Sequence, residues 1–306
     1  MRGERAVAPF EPLPFSRLPE RPRKAHGFFG MRAREVVVPS APFGRLRVHV
    51  RELGDGPPLL LVHGLMTSSY SWRYVVEPLA RRYRVIAPDL PGAGRSDKPV
   101  DRPYGARALA TFVGELVDAL GIGGCEAIGN SLGGYLCMWL ALERPEALSR
   151  LVDIHSPGVP DARLRALHAA LRAAPARRAL EWVIARDPER WAHRNVHCYD
   201  ETLKSLEEAR EYGAPLRTPE GRRAFVRWLA EALDPAEMTR LCEELAARRD
   251  DGRGFPIPLE LLYAREDPMV PPSVGEQLHA LVPEAPLRWL DHSSHFAQVD
   301  TPQALL

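Results

Sequence analysis

The sequence predicts an α/β fold, with a mostly parallel sheet, helices on both faces and one inserted all-helical segment. Short apolar runs alternate with longer amphipathic segments over residues 34–157, which is the pattern of βα units. The alternation stops over 158–254, where Arg- and Glu-rich helical patterns follow one another, and it resumes over 255–306. We therefore expect a core formed by 34–157 and 255–306, with 158–254 as a helical cap over one face of the sheet.

Eight segments have strand character. The first two, EVVVPS and RLRVHVREL, are joined by the turn APFG, and the second alternates apolar and polar residues as a half-exposed antiparallel strand should. The runs PLLLVHG, RVIAPDL, GCEAIGN and LSRLVDIH are more continuously apolar, which is typical of strands buried on both faces. After the cap, IPLELLYARED and APLRWLD complete the set.

Helical spacing of apolar residues follows each buried strand. In the core it occurs in SSYSWRYVVEPLARRY, GARALATFVGELVDALGI, SLGGYLCMWLALERP and VGEQLHALV. In the cap it occurs in ARLRALHAALRAAPARRALEWVIA, ETLKSLEEAREY and GRRAFVRWLAEAL. Residues 1–33 are rich in Pro and Arg and show no sustained period. We expect this N-terminal arm to be either poorly ordered or an extended strap lying on the domain.

Composition excludes several classes of protein. The 306 residues include 41 Lys and Arg and 40 Asp and Glu, and this balance argues against a nucleic-acid binder. The four cysteines form no CxxC pair and are interpreted as free thiols of a reducing compartment. No segment has the length and apolarity of a signal peptide or a membrane span. We expect a cytoplasmic monomer or homodimer that acts on a small molecule.

A serine lies between glycines where a strand pattern becomes a helix pattern. Gly129, Ser131 and Gly133 fit G-x-S-x-G, preceded by an apolar run and followed by a helical one. Small residues are needed at such a sharp turn, which raises the hydroxyl above the sheet edge and places it at a helix N-terminus. The alternative is a glycine-rich helix start with Ser131 as the capping residue.

A serine nucleophile needs a base, and the base needs an orienting acid. His295 follows the last predicted strand, on the sheet edge where loops after parallel strands gather; His292 is the second choice. Asp267 follows another strand and precedes Pro268, which disfavours helix there; Glu266 is its competitor. His155 is interpreted as a pocket or hinge residue, and Asp153 as a second-choice acid or a buried structural partner.

The predicted chain order is therefore serine, acid, histidine, which is one known solution to the triad geometry. The tetrahedral intermediate also needs hydrogen-bond donors, and Gly64 allows the backbone to turn so that the amide of Leu65 points inward. We expect the amides of Leu65 and Leu132 to form the oxyanion hole. His63, next to Gly64, is interpreted as holding the loop and not as a base.

These motifs together resemble the α/β-hydrolase fold, in particular its capped members. The resemblance rests on LLLVHG, RVIAPDLPGAGRSDKP, GNSLGG, LLYAREDPMVP and SHFAQVDTP in this order, and it covers nearly the whole chain from about residue 35. It implies an eight-stranded, mostly parallel sheet, and it assigns the nucleophile to Ser131, the acid to Asp267 and the base to His295.

The resemblance implies a serine hydrolase that cleaves an ester or related acyl bond of a moderately hydrophobic substrate. Haloalkane dehalogenases and epoxide hydrolases of this fold use Asp at the elbow, so Ser131 argues against both. GNSLGG and HFAQVD are similar to stretches of carbon–carbon hydrolases of meta-cleavage products, although Phe296 and Asp300 replace their Trp and Glu. Those enzymes, perhydrolases and a non-catalytic binding protein remain alternatives.

No cofactor or metal is implied, because HRNVHC in the cap is better explained as a helical surface than as a ligand cluster. The cap aromatic residues Trp182, Trp191, Tyr199, Tyr212 and Trp228 are divided between the substrate cleft and the packing of cap helices. We expect substrate contacts from Gly64, Met66, Asn130, Trp182 and Phe296.

Overall fold

A computed structural model describes residues 9–306 of the chain, and in this part eight strands form one sheet. Each strand lies where an apolar or alternating run predicted it. The bounds are β1 Arg32–Ser40, β2 Gly44–Leu53, β3 Pro58–Val62, β4 Arg84–Pro88, β5 Cys125–Asn130, β6 Leu148–Ile154, β7 Leu259–Ala264 and β8 Leu287–Leu290.

The strand order is β1-β2-β4-β3-β5-β6-β7-β8. The β1–β2 and β2–β4 pairs are antiparallel, whereas every pair from β4 to β8 is parallel. The loops that follow β3, β4, β5, β6, β7 and β8 therefore emerge at one edge of the sheet, where ligands bind in folds of this type. The predicted eight-stranded, mostly parallel sheet is confirmed.

Helices cover both faces of the sheet. The helices of the core are α1 Val76–Leu79, α2 Ala106–Leu120, α3 Leu132–Glu143, α10 Pro272–Leu281 and α11 Ala297–Asp300. Those between β6 and β7 are α4 Ala162–Leu171, α5 Ala174–Arg186, α6 Pro188–Asn195, α7 Leu206–Gly213, α8 Pro219–Arg227 and α9 Pro235–Asp250. None of the helices in residues 9–306 is long and apolar enough to cross a bilayer.

Three segments predicted as continuous helices are divided. ETLKSLEEAREY forms a 3₁₀ turn over Glu201–Leu203 before α7 begins at Leu206, and proline explains the other two divisions. In SSYSWRYVVEPLARRY a continuous helix would need an N–H at position 78, but Pro78 has none. The chain instead forms a 3₁₀ turn over Ser69–Trp72, and α1 begins at Val76, so that Pro78 lies in a first turn that needs no donor. Pro175 likewise separates α4 from α5.

Residues 9–31 of the N-terminal arm pack against both the core and the helices between β6 and β7. Phe28 is fully buried beside Tyr70 of the core, with ring centroids 5.3 Å apart. The backbone carbonyls of Pro19 and Glu20 accept hydrogen bonds at the start of α7, from Leu206 and Glu207. This part of the arm is thus the strap that the sequence offered as one of two alternatives; residues 1–8 lie outside the described residues.

Candidate active site

Ser131 occupies the sharp turn between β5 and α3. Its backbone has φ 55° and ψ −124°, a region that non-glycine residues adopt only under strain. The surrounding structure compensates, because the amide of Ser131 donates to the carbonyl of Ile154 at the end of β6, at 2.7 Å. Gly64 explains how the β3 loop approaches: a methyl group there would lie 2.9 Å from the Cβ of Ser131.

The Ser131 side chain does not cap the helix that it precedes. It makes no capping hydrogen bond to α3, so the alternative of a simple helix cap is not supported. The residue is 9% exposed and lines a cavity together with His295. Within residues 9–306, however, no hydrogen bond joins the serine hydroxyl to the imidazole. Catalytic hydrogen bonds are often long in unliganded structures and shorten when substrate binds.

His295 and Asp267 form a buried hydrogen-bonded pair. The imidazole Nδ1 lies 2.7 Å from Oδ2 of the aspartate, and both side chains are almost completely buried. The other oxygen, Oδ1, accepts from the amides of Met269 and Val270 at 2.7 and 3.0 Å. Burial alone would raise the pKa of Asp267, but the adjacent imidazole and these amides lower it to about 2. The carboxylate is therefore ionised and fixes the His295 proton on Nδ1, which leaves Nε2 unprotonated and able to accept a proton.

His155 is a second buried imidazole beside this pair. Its ring centroid lies 5.6 Å from that of His295, and its Nε2 accepts a hydrogen bond from the amide of Ala264 at 2.7 Å. Burial lowers the pKa of His155 to about 4, so the ring is neutral with its proton on Nδ1. Ligating atoms of His155, Asp267 and His295 lie within 4.8 Å of one another. The protonated Nδ1 of His155 offers no lone pair to a metal there.

The loop that carries His295 is held by buried polar side chains. Asn130 donates from Nδ2 to the carbonyl of His295 at 3.0 Å, and its Oδ1 accepts from Gln298 at 3.1 Å. Asp300 accepts from the amide and hydroxyl of Ser294. Burial raises the pKa of Asp300 to about 6. The position of the His295 imidazole thus depends on Gln298 and Asp300, which follow it closely in sequence, and on Asn130, which precedes Ser131.

Leu65 and Leu132, the residues predicted to form the oxyanion hole, both lie close to Ser131. The amide of Leu132 is the first of α3, and amides of a first helical turn have no acceptor within the helix. Leu65 lines the same cavity as Ser131. His63 fixes this loop: its Nδ1 bonds the carbonyl of Gly64 at 2.9 Å and its Nε2 accepts from the amide of Leu90 at 3.0 Å. His63 therefore holds the loop and is not free to act as a base.

The cavity above Ser131 has a volume of about 370 Å³ and is mostly apolar. Its walls come from the β3 loop, the segment after β6, α4, the π-helical turn Trp228–Ala232 that follows α8, and the segment after β7. Apolar lining residues include Val159, Leu164, Leu167, Leu229, Leu233 and Val270. Asp161 and Arg163 are charged residues that also line it. The site can accept an apolar group of moderate size next to the hydroxyl.

The five residues predicted to contact substrate are not brought together. Gly64 lies against Ser131, and Met66 lines a smaller neighbouring cavity of about 30 Å³. The Asn130 amide is turned towards the His295 loop. Phe296 is buried in the core, where its ring centroid lies 5.3 Å from that of His295, and it does not line the cavity. Trp182 is 58% exposed on α5, far from these contacts, because the inner face of that helix is occupied by Ile184.

The competing candidates lie elsewhere. Glu266 is exposed beside Asp267. His292 is exposed and bonded through Nδ1 to the hydroxyl of Tyr199. Asp153 is fully buried and bonded to Ser156, so it is a structural partner and not the acid of His295.

Sequence reasoning missed most of the cavity wall. Leu164, Leu167, Leu229 and Leu233 have ordinary helical spacing, and nothing distinguishes them from residues that pack helices together. Their role depends on how the helices between β6 and β7 are arranged over the sheet. The only available signal was that this segment precedes β7, whose following loop carries Asp267.

Comparisons with known proteins show the family and the fold of the chain. Residues 57–302 match the family model for the alpha/beta hydrolase fold. The chain is 30% identical over 263 residues to 2-hydroxymuconate semialdehyde hydrolase of Pseudomonas putida, covering 83% of this chain and 86% of the relative. It is 28% identical over 259 residues to the protein of that name from Pseudomonas sp. (strain CF600), covering 83% and 86%. The solved structure of the epoxide hydrolase CorEH superposes with a TM-score of 0.75 at 23% identity, covering 90% and 95% of the two chains, which shows a shared fold.

Proposed function

Because the chain belongs to the α/β-hydrolase fold family, we propose that it is a serine hydrolase that cleaves an ester or related acyl bond through an acyl-enzyme on Ser131. One observation carries the proposal. Ser131, on a strained strand-to-helix turn, shares a cavity with His295. The Nδ1 of His295 lies 2.7 Å from the buried, ionised carboxylate of Asp267. A protein that only binds ligands has no need for all three groups in this arrangement.

In the proposed mechanism, Ser131 Oγ attacks the substrate carbonyl and His295 Nε2 takes its proton. The imidazolium is stabilised by Asp267, which stays ionised, and it then gives the proton to the departing alkoxide. Water attacks the acyl-enzyme in the second half of the reaction, again with His295 as base, and releases the acid. The amides of Leu65 and Leu132 stabilise the oxyanion of both tetrahedral intermediates; losing one such donor typically costs about 2.7–4 kcal/mol.

The cavity supports a small, moderately hydrophobic substrate. Leucine and valine side chains from the core and from the helices between β6 and β7 surround the hydroxyl, so an apolar acyl or alkyl group is desolvated on binding. The charged residues Asp161 and Arg163 are neighbours in sequence and offset one another. An uncharged ester thus suits this site better than a strongly anionic substrate.

Carbon–carbon hydrolysis of a meta-cleavage product is the second candidate, and it is favoured by the relatives named above. A ring-fission dienoate carries a carboxylate, which needs a cationic partner. Apart from His295, Arg163 is the basic side chain among the described residues of the cavity wall. Its guanidinium is already bonded to the carbonyls of Pro268 and Met269. This candidate therefore requires Arg163 to exchange partners when substrate binds.

The decisive experiment has two stages. A fluorophosphonate probe should label the wild-type protein and fail to label Ser131→Ala, because only an activated serine reacts with it. Turnover of p-nitrophenyl acetate and butyrate is then compared with turnover of a ring-fission dienoate. We expect the esters to be hydrolysed with a kcat/KM at least tenfold higher than the dienoate.

Each failure has a separate meaning. Absence of labelling in a folded wild-type protein would contradict a serine hydrolase and favour a binding protein. Labelling combined with preferential cleavage of the dienoate would retain the triad and replace the ester by the carbon–carbon substrate. Labelling that persists in Ser131→Ala would show that another residue is the nucleophile.

A further inference from the structure

We propose that the hairpin formed by α4 and α5, residues 162–186, docks on an anionic lipid surface. This lid hairpin covers the cavity above Ser131, since Leu164 and Leu167 of α4 line the cavity wall. Its outer face carries the charge and apolar exposure described below. The inference concerns binding and is independent of catalysis, although with the proposed function it would also place the cavity next to a source of apolar substrate.

The lid hairpin is strongly cationic in a chain that is close to neutral. It contains six arginines and one acidic residue, Glu181, whereas the whole chain has a net charge of +1. Five of the arginines are exposed, and Glu181 is half-buried. Arg165, Arg172 and Arg178 form no ion pair within the described residues. Exposed acidic residues, which would weaken attraction to an anionic surface, are absent from this part of the described chain.

Two adjacent apolar side chains are exposed on the same hairpin. Trp182 is 58% exposed and Val183 is 44% exposed, and both are on α5. The guanidinium of Arg186 lies 3.8 Å from the centre of the Trp182 ring. Arg178, Trp182 and Arg186 follow one another at intervals of four residues, so they form a single stripe along the helix. Tryptophan flanked by arginine is typical of helices that lie in the interfacial region of a bilayer.

Most of the other exposed side chains of the lid hairpin are small. Ala162, Ala166, Ala169, Ala170, Ala179 and Ala185 are exposed alanines of the hairpin. Alanine side chains are short, so the hairpin can approach lipid headgroups closely, with Trp182 and Val183 reaching the acyl boundary. An acidic protein partner would also be attracted by the arginines and could bury Trp182, but protein interfaces are depleted in alanine, which is frequent on this hairpin. Charge and apolar exposure together therefore favour the lipid surface.

The hairpin is tied to the catalytic side of the molecule by one arginine. Arg163, in the first turn of α4, donates to the carbonyls of Pro268 and Met269, which directly follow Asp267. The lid hairpin, which would dock on the lipid through its outer face, thus contacts the loop that follows Asp267 through the first turn of α4. This contact places the lipid surface on the same side of the molecule as the cavity.

The test measures binding of the full-length Ser131→Ala protein to vesicles, so that hydrolysis cannot alter the lipid. We expect sedimentation with phosphatidylcholine vesicles that contain phosphatidylglycerol and little sedimentation with phosphatidylcholine alone. Added salt should weaken binding, because it screens the arginines. Charge reversal of Arg165, Arg172 and Arg178 to Glu should lower the partition coefficient at least about 100-fold, given the usual contribution of one basic residue near an anionic membrane.

Matched variants separate a specific surface from general attraction. Reversal of Arg21, Arg45 and Arg81, which are exposed elsewhere, changes net charge equally and should reduce binding less than fivefold. Trp182→Ala with Val183→Ala should reduce binding about tenfold, whereas Phe29→Ala, an exposed aromatic residue on the arm, should leave it unchanged. Tryptophan fluorescence should shift to the blue on binding in Ser131→Ala and not in the variant without Trp182.

Three outcomes would overturn the proposal. They are equal binding to neutral and anionic vesicles, equal loss in the two charge-reversed proteins, and binding that does not depend on Trp182 and Val183. Binding that does not depend on Trp182 and Val183 would be non-specific electrostatic adsorption, which any polyanion could produce. Because the substituted side chains are exposed, an unchanged melting temperature verifies that each variant is folded. Loss of labelling by the fluorophosphonate probe would bear on the proposed function and not on docking.

Discussion

Asp153 is a fully buried carboxyl that lies beneath the nucleophile turn, outside the proposed triad. Its Oδ1 is bonded to the hydroxyl of Ser156, and that hydroxyl also lies 3.2 Å from the carbonyl of Ser131. Tyr263 contributes its hydroxyl at 3.5 Å from Oδ2. Burial raises the pKa of Asp153 to about 7, although these hydrogen bonds oppose the shift. When Asp153 is protonated, Ser156 can accept from it and donate its own single proton to Ser131.

Asp153 should therefore make stability depend on pH. Its pKa is about 7 in the folded chain and about 3.8 unfolded, so the folded state binds the extra proton between these values. The resulting stabilisation is complete below about pH 4 and is lost as pH rises through 7. We expect the free energy of unfolding of the wild type, relative to Asp153→Asn, to fall by about 2 kcal/mol between pH 5.5 and 8.

Urea unfolding at several pH values measures this difference. Subtracting the variant removes the contribution of His155, which has the opposite sign because its pKa is lowered. Asp300→Asn is the matched control, because the Asp300 carboxyl also has a raised pKa, about 6. The pH range over which Asp300 changes the free energy of unfolding should therefore end about one unit lower than the range for Asp153. A wild-type curve parallel to that of Asp153→Asn would show that Asp153 is ionised in the folded protein.

Asn130 gives a second prediction at the scale of residues. Asn130→Ala leaves the carbonyl of His295 and the amide of Gln298 without this partner in a buried site. We expect a loss of about 2–4 kcal/mol in the free energy of unfolding. Because the His295 backbone is then less restrained, we also expect a 10- to 100-fold loss in kcat on p-nitrophenyl butyrate, with little change in KM.

Gln298→Ala is the informative comparison for Asn130. It removes only the bond to Asn130 Oδ1 and leaves the bond to His295 intact. Its kcat should therefore fall less than that of Asn130→Ala. Equal losses in kcat would mean that Asn130 acts through general packing and not through the carbonyl of His295.

At the residue scale, sequence could predict groups whose chemistry depends on their place in a loop. Asp267 and His295 are predictable because each follows a strand end, and the parallel sheet brings those ends together. Asn130, Trp182 and Phe296 could not be predicted in the same way, since the direction of a side chain depends on the local backbone. Asn130 precedes a residue with positive φ, and its amide turns towards the His295 loop.

At the scale of elements, the approach of α3 to the sheet determines where the serine lies. A methyl group on Gly133 would be 2.1 Å from the carbonyl oxygen of Val62 in β3. A methyl group on Gly129 would be 2.5 Å from the Cα of Gly134. Both neighbours are backbone atoms, so relief requires moving the strand or the helix. The glycines of the motif are therefore needed for strand–helix packing as well as for the turn.

Gly133→Ala should be severely destabilising. Because β3 and α3 must separate, we expect a loss of at least about 3 kcal/mol in the free energy of unfolding, or failure to fold. Gly123→Ala is the control, since a methyl group there meets nothing within 4 Å and the backbone needs no positive φ. Thermal unfolding of both proteins measures the difference. A Gly133→Ala protein as stable as the wild type would contradict the packing argument.

Whether a segment forms a strand or a helix could be predicted well from the sequence. Where a helix is interrupted could be predicted less well. The buried strands were visible as apolar runs because both of their faces are covered. The helix expected over SSYSWRYVVEPLARRY has period-3.6 spacing, but Pro78 restricts α1 to Val76–Leu79. The spacing showed which residues face the core and did not show where hydrogen bonding is interrupted.

At the scale of the whole molecule, a buried ion pair joins the core to the helices between β6 and β7. Arg73 follows the 3₁₀ turn Ser69–Trp72 of the core, and its guanidinium is bonded to Glu208 of α7. The charge lies 4.7 Å from the ring centres of Tyr70 and Tyr74. Burial alone would lower the pKa of Arg73, but Glu208 outweighs it and keeps the pKa well above its usual value. Sequence could not predict this pair, because neither member follows a parallel strand: Arg73 follows a 3₁₀ turn and Glu208 lies within a helix.

Removing one member of the pair should be worse than removing both. Glu208→Leu or Arg73→Met leaves a buried charge without its partner, and we expect each to lower the free energy of unfolding by about 3–5 kcal/mol. The combined Arg73→Met and Glu208→Leu protein leaves no unpaired charge, so its loss should be smaller than either single loss. A double-mutant cycle by urea unfolding measures the difference. The pair connects the core to the helices between β6 and β7. The single variants should therefore also broaden the unfolding transition, because these helices separate before the core unfolds. Strictly additive losses with unchanged cooperativity would show that the two charges act independently and that other contacts hold these helices on the core.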